Sequence, residues 1–228
     1  RLVSEPGRLV GGGPAGLAAA RALVEQGTPF DWIDKHGETG GAYRRMFPRL
    51  TLASPARYSE LPGLPLKTSG EYARAKELSS YLSEYGERCG RTPRKETLKS
   101  LEVAGPGFRA AFASGDVFEH RAVIVATGSF DFPRLPTIAG LLESHEVERI
   151  HSRDWTGAER FSGKRVLIIG GGVSGIELAE ECAQAAVDVV VSARRPIRAW
   201  PQRLLGLEVH DWAAAYETLP SAIFPRFC

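Results

Sequence analysis

The sequence predicts an α/β fold in which one supersecondary unit occurs twice, and three observations predict it. "RLVGGGPAGLAAARALVEQG" (8–27) and "VLIIGGGVSGIELAEECAQAAVDVV" (166–190) both pass from apolar residues through a glycine turn into a helical pattern. Each is followed by a short second apolar run, the order expected of strand, turn, helix and strand. Between the two copies lie three β-rich stretches separated by Gly-Pro-Gly and Ser-Gly-Asp turns, which predict a small meander.

Taken in order, the first unit has Leu17, Ala20, Leu23 and Val24 at helical spacing, then "FDWID" as its second strand. Its first strand reads as short, because only Leu9 and Val10 lead cleanly into the turn. Next comes a proline-rich stretch, "FPRLTLASPARYSELPGLPLK" (47–67), expected to be an irregular, functional loop. Ser69 is the predicted N-cap of the helix that follows, in which Leu78, Tyr81, Leu82 and Tyr85 form one buried stripe. The meander strands are "LKSLEVA", "GFRAAFA" and "DVFEHRAVIVATG". The last ends in a continuously apolar run, Ala122 to Ala126, expected to be buried on both faces. The second unit starts near His151, with strands at Val166–Ile169 and Val187–Val191 around its turn and helix. The expected domains are 1–140, with 47–92 inserted, and 141–228.

Composition excludes several classes. A chain of 228 residues makes one large domain or two small ones, and 43% apolar with 25% charged residues is ordinary for a globular protein. A net charge of +2 makes no electrostatic case for nucleic acid or anionic lipid. No run approaches the roughly 20 apolar residues of a membrane span, and "RLVSEPG" carries no export signal. Cys89, Cys182 and Cys228 lack CxxC spacing, so a reducing cytoplasm is expected, with Cys182 a small core residue. No metal site is expected.

The two turns carry the chemistry. Gly11, Gly13 and Gly16 satisfy G-x-G-x-x-G: one glycine for the tight turn, one for close approach of a pyrophosphate, one for helix–strand packing. Pro14 and Ala15 open the helix, whose N-terminus supplies a positive field. Asp34, followed by Lys35, lies twenty-three residues beyond Gly11, where an acid would bind a ribose hydroxyl. The second turn uses Gly170, Gly172 and Gly175, with Val173 and Ser174 opening its helix. Here Ser192 stands where the acid should be, and Arg194 and Arg195 follow. A basic pair on a loop is either merely solvated or suited to a 2′-phosphate through bidentate hydrogen bonds. The first ending fits FAD and the second NADPH, which together imply hydride transfer from a nicotinamide to a flavin.

The order of these pieces resembles the two-dinucleotide-binding flavoproteins, especially the flavin-containing monooxygenase and Baeyer–Villiger-like branch. "GGGPAGLAAARAL", "GETGGAYR", "VIVATG", "IHSRDW" and "GKRVLIIGGGVSGIELA" carry the resemblance across almost the whole chain. It implies two Rossmann-like units of the FAD/NAD(P)-binding fold, three-layer ββα, the meander belonging to the first. It also implies that Gly40 and Gly41 sit against FAD and that Ala126, Thr127 and Gly128 form a segment passing toward the NADPH domain. The implied activity is insertion of one oxygen atom from O2 into a small organic substrate through a flavin C4a-(hydro)peroxide. The alternatives are a flavin-dependent reductase of the thioredoxin-reductase type without a CxxC, and a truncated non-catalytic member.

Three departures from the family pattern stand out. The fingerprint F-x-G-x-x-x-H, with an aromatic four residues on, reads "HEVERIHSRDW": His151 and Trp155 match, whereas His145 and Val147 replace Phe and Gly. Without the family, His151 reads as a loop histidine and Trp155 as a packing anchor. Ala53 stands where many members have Asn near the flavin. The resemblance runs through "PQRLLGLEVHDW" and then ceases, so the NADPH domain is expected to be incomplete. No acid/base dyad is predicted, the catalytic residues stay unassigned, and a homo-oligomer is neither required nor excluded.

Overall fold

The computed structural model describes residues 6–47, 49–130, 132–138, 147–199 and 201–218. The chain divides into two compact units, Arg1–Gly157 and Ala158–Cys228. The expected boundary at 140 lies outside the described residues, as do His145 and Cys228.

The first unit contains β1 (Gly7–Val10), α1 (Pro14–Glu25), β2 (Phe30–Asp34), β3 (Thr51–Pro55), β4 (Tyr72–Arg74), α2 (Ala75–Arg88) and β5 (Arg94–Lys95). It continues with β6 (Leu98–Ala104), β7 (Gly107–Phe112), β8 (Val117–His120) and β9 (Val123–Val125). Four strands form a parallel sheet in the order β5-β2-β1-β9, while β6-β7-β8 make the antiparallel meander. The period of two along each strand sorts side chains into layers. Leu9, Phe30 and Trp32 face one way and pack with Leu17 of α1 and Leu82 of α2. Val10 and Ile33 face the other way and meet Ala110 and Phe112 of the meander. Helices, parallel sheet and meander are therefore three layers, as expected.

Several local expectations are corrected. Ser69 does not cap α2, because Tyr72–Arg74 is drawn into a strand against β3 and the helix starts at Ala75. Instead Glu77 reaches back to the N–H groups of Arg74 and Ser69, each at 2.8 Å. The 47–67 stretch is correspondingly not all loop, since Thr51–Pro55 is β3. The strand ending in Val125 is not buried on both faces: β9 is an edge of its sheet, and Val125 is 55% exposed. Val24 is also exposed, whereas the stripe Leu78, Tyr81, Leu82 and Tyr85 is buried as predicted. β1 is one turn of the pleat longer than the apolar pattern suggested, because it includes Arg8, which is buried.

The second unit contains β10 (Arg165–Ile169), α3 (Val173–Gln184), β11 (Asp188–Ser192), β12 (Arg203–Leu204), β13 (Leu207–Glu208) and α4 (Val209–Thr218). β10 and β11 pair in parallel, and α3 buries Leu178 and Cys182. Leu167 and Val190 point from these strands to solvent, at 61% and 60% exposure. The β12–β13 hairpin turns through Leu205 and Gly206, both at positive φ, and Trp212 of α4 donates its indole N–H to the Leu204 carbonyl at 3.0 Å. Neither the hairpin nor α4 leaves a clear pattern in the sequence. Among the described residues no helix is long and apolar enough to cross a membrane.

Candidate functional site

Each glycine turn is built by the same constraint. A parallel strand must turn sharply into a helix whose axis runs back over the sheet, and only residues without a Cβ allow the approach. Gly11 sits at φ +117, and a Cβ there would overlap the Ala126 carbonyl oxygen. A Cβ on Gly16 would overlap the carbonyl oxygen of Gly11 itself. In the second unit Gly170 sits at φ +126, and a Cβ on Gly175 would overlap the Gly170 carbonyl oxygen. The anchoring bond is also repeated: Gly11 N–H donates to Ile33 O at 2.8 Å, and Gly170 N–H to Ser192 O at 2.9 Å.

Both helices present an open N-terminus. Gly13 and Gly172 are the N-caps, neither offers a capping side chain, and neither helix has an acid in its first turn. The leading N–H groups and the positive end of the helix dipole therefore meet no protein carboxylate from their own helix. A Cβ on Gly172 would find nothing within 4 Å, and one on Gly13 only Gly41 Cα at 3.9 Å. Pro14 occupies the first helical turn of α1, where its missing N–H costs nothing, and Ala15 is exposed beside it. Val173 and Ser174 are exposed at the equivalent place in α3. Further along α3, burial and then Glu180 raise the carboxyl of Glu177 above its usual range.

Around the first turn the fold gathers most of the residues singled out from the sequence. Asp34, at the end of β2, is buried and turned inward: its Oδ2 accepts from Gly12 N–H at 2.9 Å and its Oδ1 from His36 N–H at 2.7 Å. Gly40 N–H donates to the Gly12 carbonyl at 2.8 Å, which lays 38–41 across the turn. A Cβ on Gly41, at φ +57, would come within 2.8 Å of Gly13 Cα. Ala126 N–H donates to Val10 O at 2.8 Å, which places the Ala126 carbonyl over Gly11 and Thr127 beside it. Gly128, at φ +68, is exposed beyond them. Lys35 lies over the Phe132 ring, 5.9 Å from its centroid.

The second turn lacks the inward carboxylate. Ser192 ends β11 and is exposed, and Arg194 and Arg195 follow it on the surface. Among the described residues neither arginine forms an ion pair. His151 caps a short 3-10 turn by accepting Arg153 N–H on its Nδ1 at 3.1 Å, and Trp155 is buried. Ala53 lies in β3. No group of three His, Cys, Asp or Glu among the described residues could hold a metal ion.

Three contributors were missed in the sequence. Gly12 is as constrained as its neighbours, because a Cβ there would overlap the Glu38 carbonyl oxygen; the triple glycine in both turns was the available signal. Trp32, buried in β2, donates its indole N–H to Gly11 O at 2.9 Å and so holds the turn from below. Arg8 and His120 form a buried pair beneath β1, for which the sequence offered no signal.

With this geometry in hand, comparisons with known proteins converge. The family model described as pyridine nucleotide-disulphide oxidoreductase matches residues 9–208. The indole-3-pyruvate monooxygenase YUCCA1 of Oryza sativa subsp. japonica is 30% identical over 225 residues, covering 96% of this chain and 55% of that protein. Among solved structures, a flavin-containing monooxygenase from Stenotrophomonas maltophilia aligns with a TM-score of 0.78 at 28% identity, covering 88% of this chain and 61% of that one. An oxidized steroid monooxygenase bound to NADP aligns with a TM-score of 0.70 at 26% identity, covering 83% and 38%. The chain thus spans about half the length of the curated relatives it matches.

Proposed function

Because the chain belongs to the pyridine nucleotide-disulphide oxidoreductase family, we propose that it binds FAD at the first turn and NADPH at the second, as part of a flavin-dependent monooxygenase. The observation that carries this reading is the contrast between two otherwise matching turns. One ends in a buried carboxylate locked to Gly12; the other ends in exposed Ser192, Arg194 and Arg195. The residues present fit both nucleotides, since each open helix N-terminus faces space that a Cβ or a capping side chain would fill.

Gly11, Gly13, Pro14, Ala15 and Gly16 form the cradle for the FAD pyrophosphate, with Asp34 and Lys35 beside the ribose. Gly40, Gly41, Ala126, Thr127 and Gly128 line the path beyond it. Gly170, Gly172, Val173, Ser174 and Gly175 cradle the NADPH pyrophosphate, and Ser192, Arg194 and Arg195 receive the 2′-phosphate. When bound, the flavin supplies two-electron transfer and oxygen chemistry. The chain's own groups bind and orient the two nucleotides. The relatives' printed names, a monooxygenase of indole-3-pyruvate and one of steroids, support a small organic substrate and O2 as co-substrates; the cytoplasm is the proposed location, from the cysteine usage alone. The FAD unit is assigned to 1–140 and the NADPH unit to 141–228, a functional boundary that falls before the division into compact units at Gly157.

The disulfide chemistry in the family's description is disfavoured here. Cys89 and Cys182 are both buried and free, and burial pushes both thiols up, away from the reactive thiolate. The test is titration of the purified chain with FAD, followed by flavin fluorescence, then with NADPH and NADH. Quenched, stoichiometric flavin and a preference for NADPH are expected; a chain that takes up neither nucleotide would overturn the reading.

A further inference from the structure

On the reading of the first turn as the FAD site, we propose that Arg44 and Ser83 are positioning residues. Their contact buckles the 38–45 segment down over that turn and slows release of the flavin nucleotide. The segment runs between two helices. On the side of α1, Gly40 N–H donates to Gly12 O at 2.8 Å, and a Cβ on Gly12 would overlap the Glu38 carbonyl oxygen. Gly41 lies beside Gly13, the N-cap of α1. On the side of α2, Thr39 sits directly on Gly86, where an added Cβ would come within 2.7 Å of Thr39 Cγ2. Tyr43 packs against the core cluster that holds Leu17 and Leu82.

This path has a cost in order. Gly40 and Gly41 stand at φ +104 and +57, and glycine loses more conformational freedom on ordering than any other residue. A segment hinged on two such residues needs cross-links to stay in one shape. Arg44 supplies them. Its Nη1 donates to Thr39 O at 3.2 Å and to Ser83 Oγ of α2 at 2.9 Å, and its Nε lies 3.3 Å from Glu38 Oε2. Its stem folds back across Gly40, where a Cβ would come within 2.8 Å of Arg44 Cγ.

The remaining groups hold this arginine in register. Ser83 has a single O–H, which donates to Ser79 O at 3.0 Å, so its oxygen is left to accept from Arg44. Arg45 pairs with Glu38 as well, and its Nη2 donates to Gly41 O at 3.2 Å. Glu38 is thus shared by two guanidiniums, and the carbonyls on either side of Gly40 each accept from one of them. Of the bonds that these side chains make, Arg44 to Ser83 alone leaves the segment. It is charge-assisted but partly exposed, so its loss is expected to shift the segment's closure by about three- to tenfold. A dinucleotide seated at the N-terminus of α1 is freed faster when the segment beside that N-terminus lifts.

Ser83→Ala separates this role from a merely structural one, because alanine is the better helix former and leaves the net charge unchanged. Three quantities are measured for the native chain, Ser83→Ala, Arg44→Ala and the double variant. They are melting without nucleotide, hydrogen exchange of the peptide spanning 38–47 without nucleotide, and the rate of FAD release followed by flavin fluorescence. Ser83→Ala is expected to melt at or above the native temperature, yet to exchange faster in 38–47 and to release FAD about three- to tenfold faster. Arg44→Ala is expected to release FAD at least as fast, and the double variant no faster than Arg44→Ala, since the bond is lost only once. Arg88, paired with Glu84 on α2 at 2.6 Å, provides the charge control. Arg88→Ala is expected to keep the native release rate; an acceleration equal to that of Arg44→Ala would reduce the effect to bulk charge and overturn the proposal. Native release rates in both single variants would overturn it too, as would faster release with native exchange in 38–47, or single effects that multiply in the double. A native chain that binds no FAD would sink the FAD reading and the flavin half of the proposal with it, and the exchange profiles would then decide the buckle.

Discussion

Replacing Asp34 with Asn asks whether that carboxylate is a ribose ligand alone or also a strut of the turn. The side chain is 9% exposed, and its two oxygens accept from Gly12 N–H at 2.9 Å and His36 N–H at 2.7 Å. Asn is nearly isosteric but offers one acceptor, so whichever way the amide lies, its NH2 faces one of these two N–H groups. One charge-assisted bond, worth about 1.5–3 kcal/mol, is lost, and one buried donor is left unmet at about 1–3 kcal/mol. The other bond survives in weaker, neutral form. The sum is about 2.5–6 kcal/mol, which lowers the melting temperature of a unit of this size by roughly 5–24 °C. Thermal unfolding without nucleotide measures it, and FAD titration of the folded variant measures the ligand's share. A melting temperature unchanged by Asp34→Asn, with FAD binding reduced, would show that the carboxylate serves only the ribose and would refute the strut.

The other expectations are smaller in scope. Arg194→Ala with Arg195→Ala should weaken NADPH by about 10- to 100-fold, one to two exposed charge-assisted contacts, and barely touch NADH, as isothermal titration would show. Melting should stay within ~1 kcal/mol, because among the described residues neither arginine has an ion-pair partner to strand; equal losses for both nucleotides would remove the 2′-phosphate assignment. Glu77 is held below the usual carboxylate value, first by the Arg74 N–H and then by Ser69. A lowered folded pKa means that its cap stabilises α2 above the unfolded value and fades as pH falls through the folded one. Glu77→Gln should therefore cost stability at pH 7 and progressively less as the pH falls below the usual carboxylate range, measured by unfolding across that range.

The layers and the turns were legible because their causes are local. Gly16 and Gly175, which must each avoid the carbonyl of the glycine five residues earlier, leave a fixed spacing, and Leu78, Tyr81, Leu82 and Tyr85 repeat at the helical period. Misreadings arose where a distant strand decides the outcome. Tyr72–Arg74 would have opened the helix had β3 not offered partners, and Ser69 would then have been a fair cap. Ile124 and Val125 look like the middle of a buried strand, yet their exposure follows from the strand's place at the edge of the sheet, which no local pattern records. The Arg8–His120 pair joins residues 112 positions apart, and an arginine before a glycine turn reads from the sequence as the end of a strand.

What separates the two turns is a matter of charge placed on matching scaffolds. A carboxylate fixed about 4 Å from an incoming phosphate would oppose it by about 4 kcal/mol per unit charge at an effective dielectric near 20, and a guanidinium at that range would favour it by as much. On the proposed reading, Asp34 at the end of one second strand and Arg194 and Arg195 just after the other would supply opposite charges for that choice, the exposed arginines at well below this upper figure. The first scaffold also spends its carboxylate twice, because the bond from Gly12 to Asp34 makes the selecting group part of the turn. In the second, the Ser192 backbone carbonyl accepts from Gly170 N–H, and the charged side chains that follow the strand are exposed. On the proposed reading the same glycine spacing would serve two dinucleotides, and the difference would lie in whether the discriminating charge is built into the turn, as Asp34 is, or hung beside it, as Arg194 and Arg195 are.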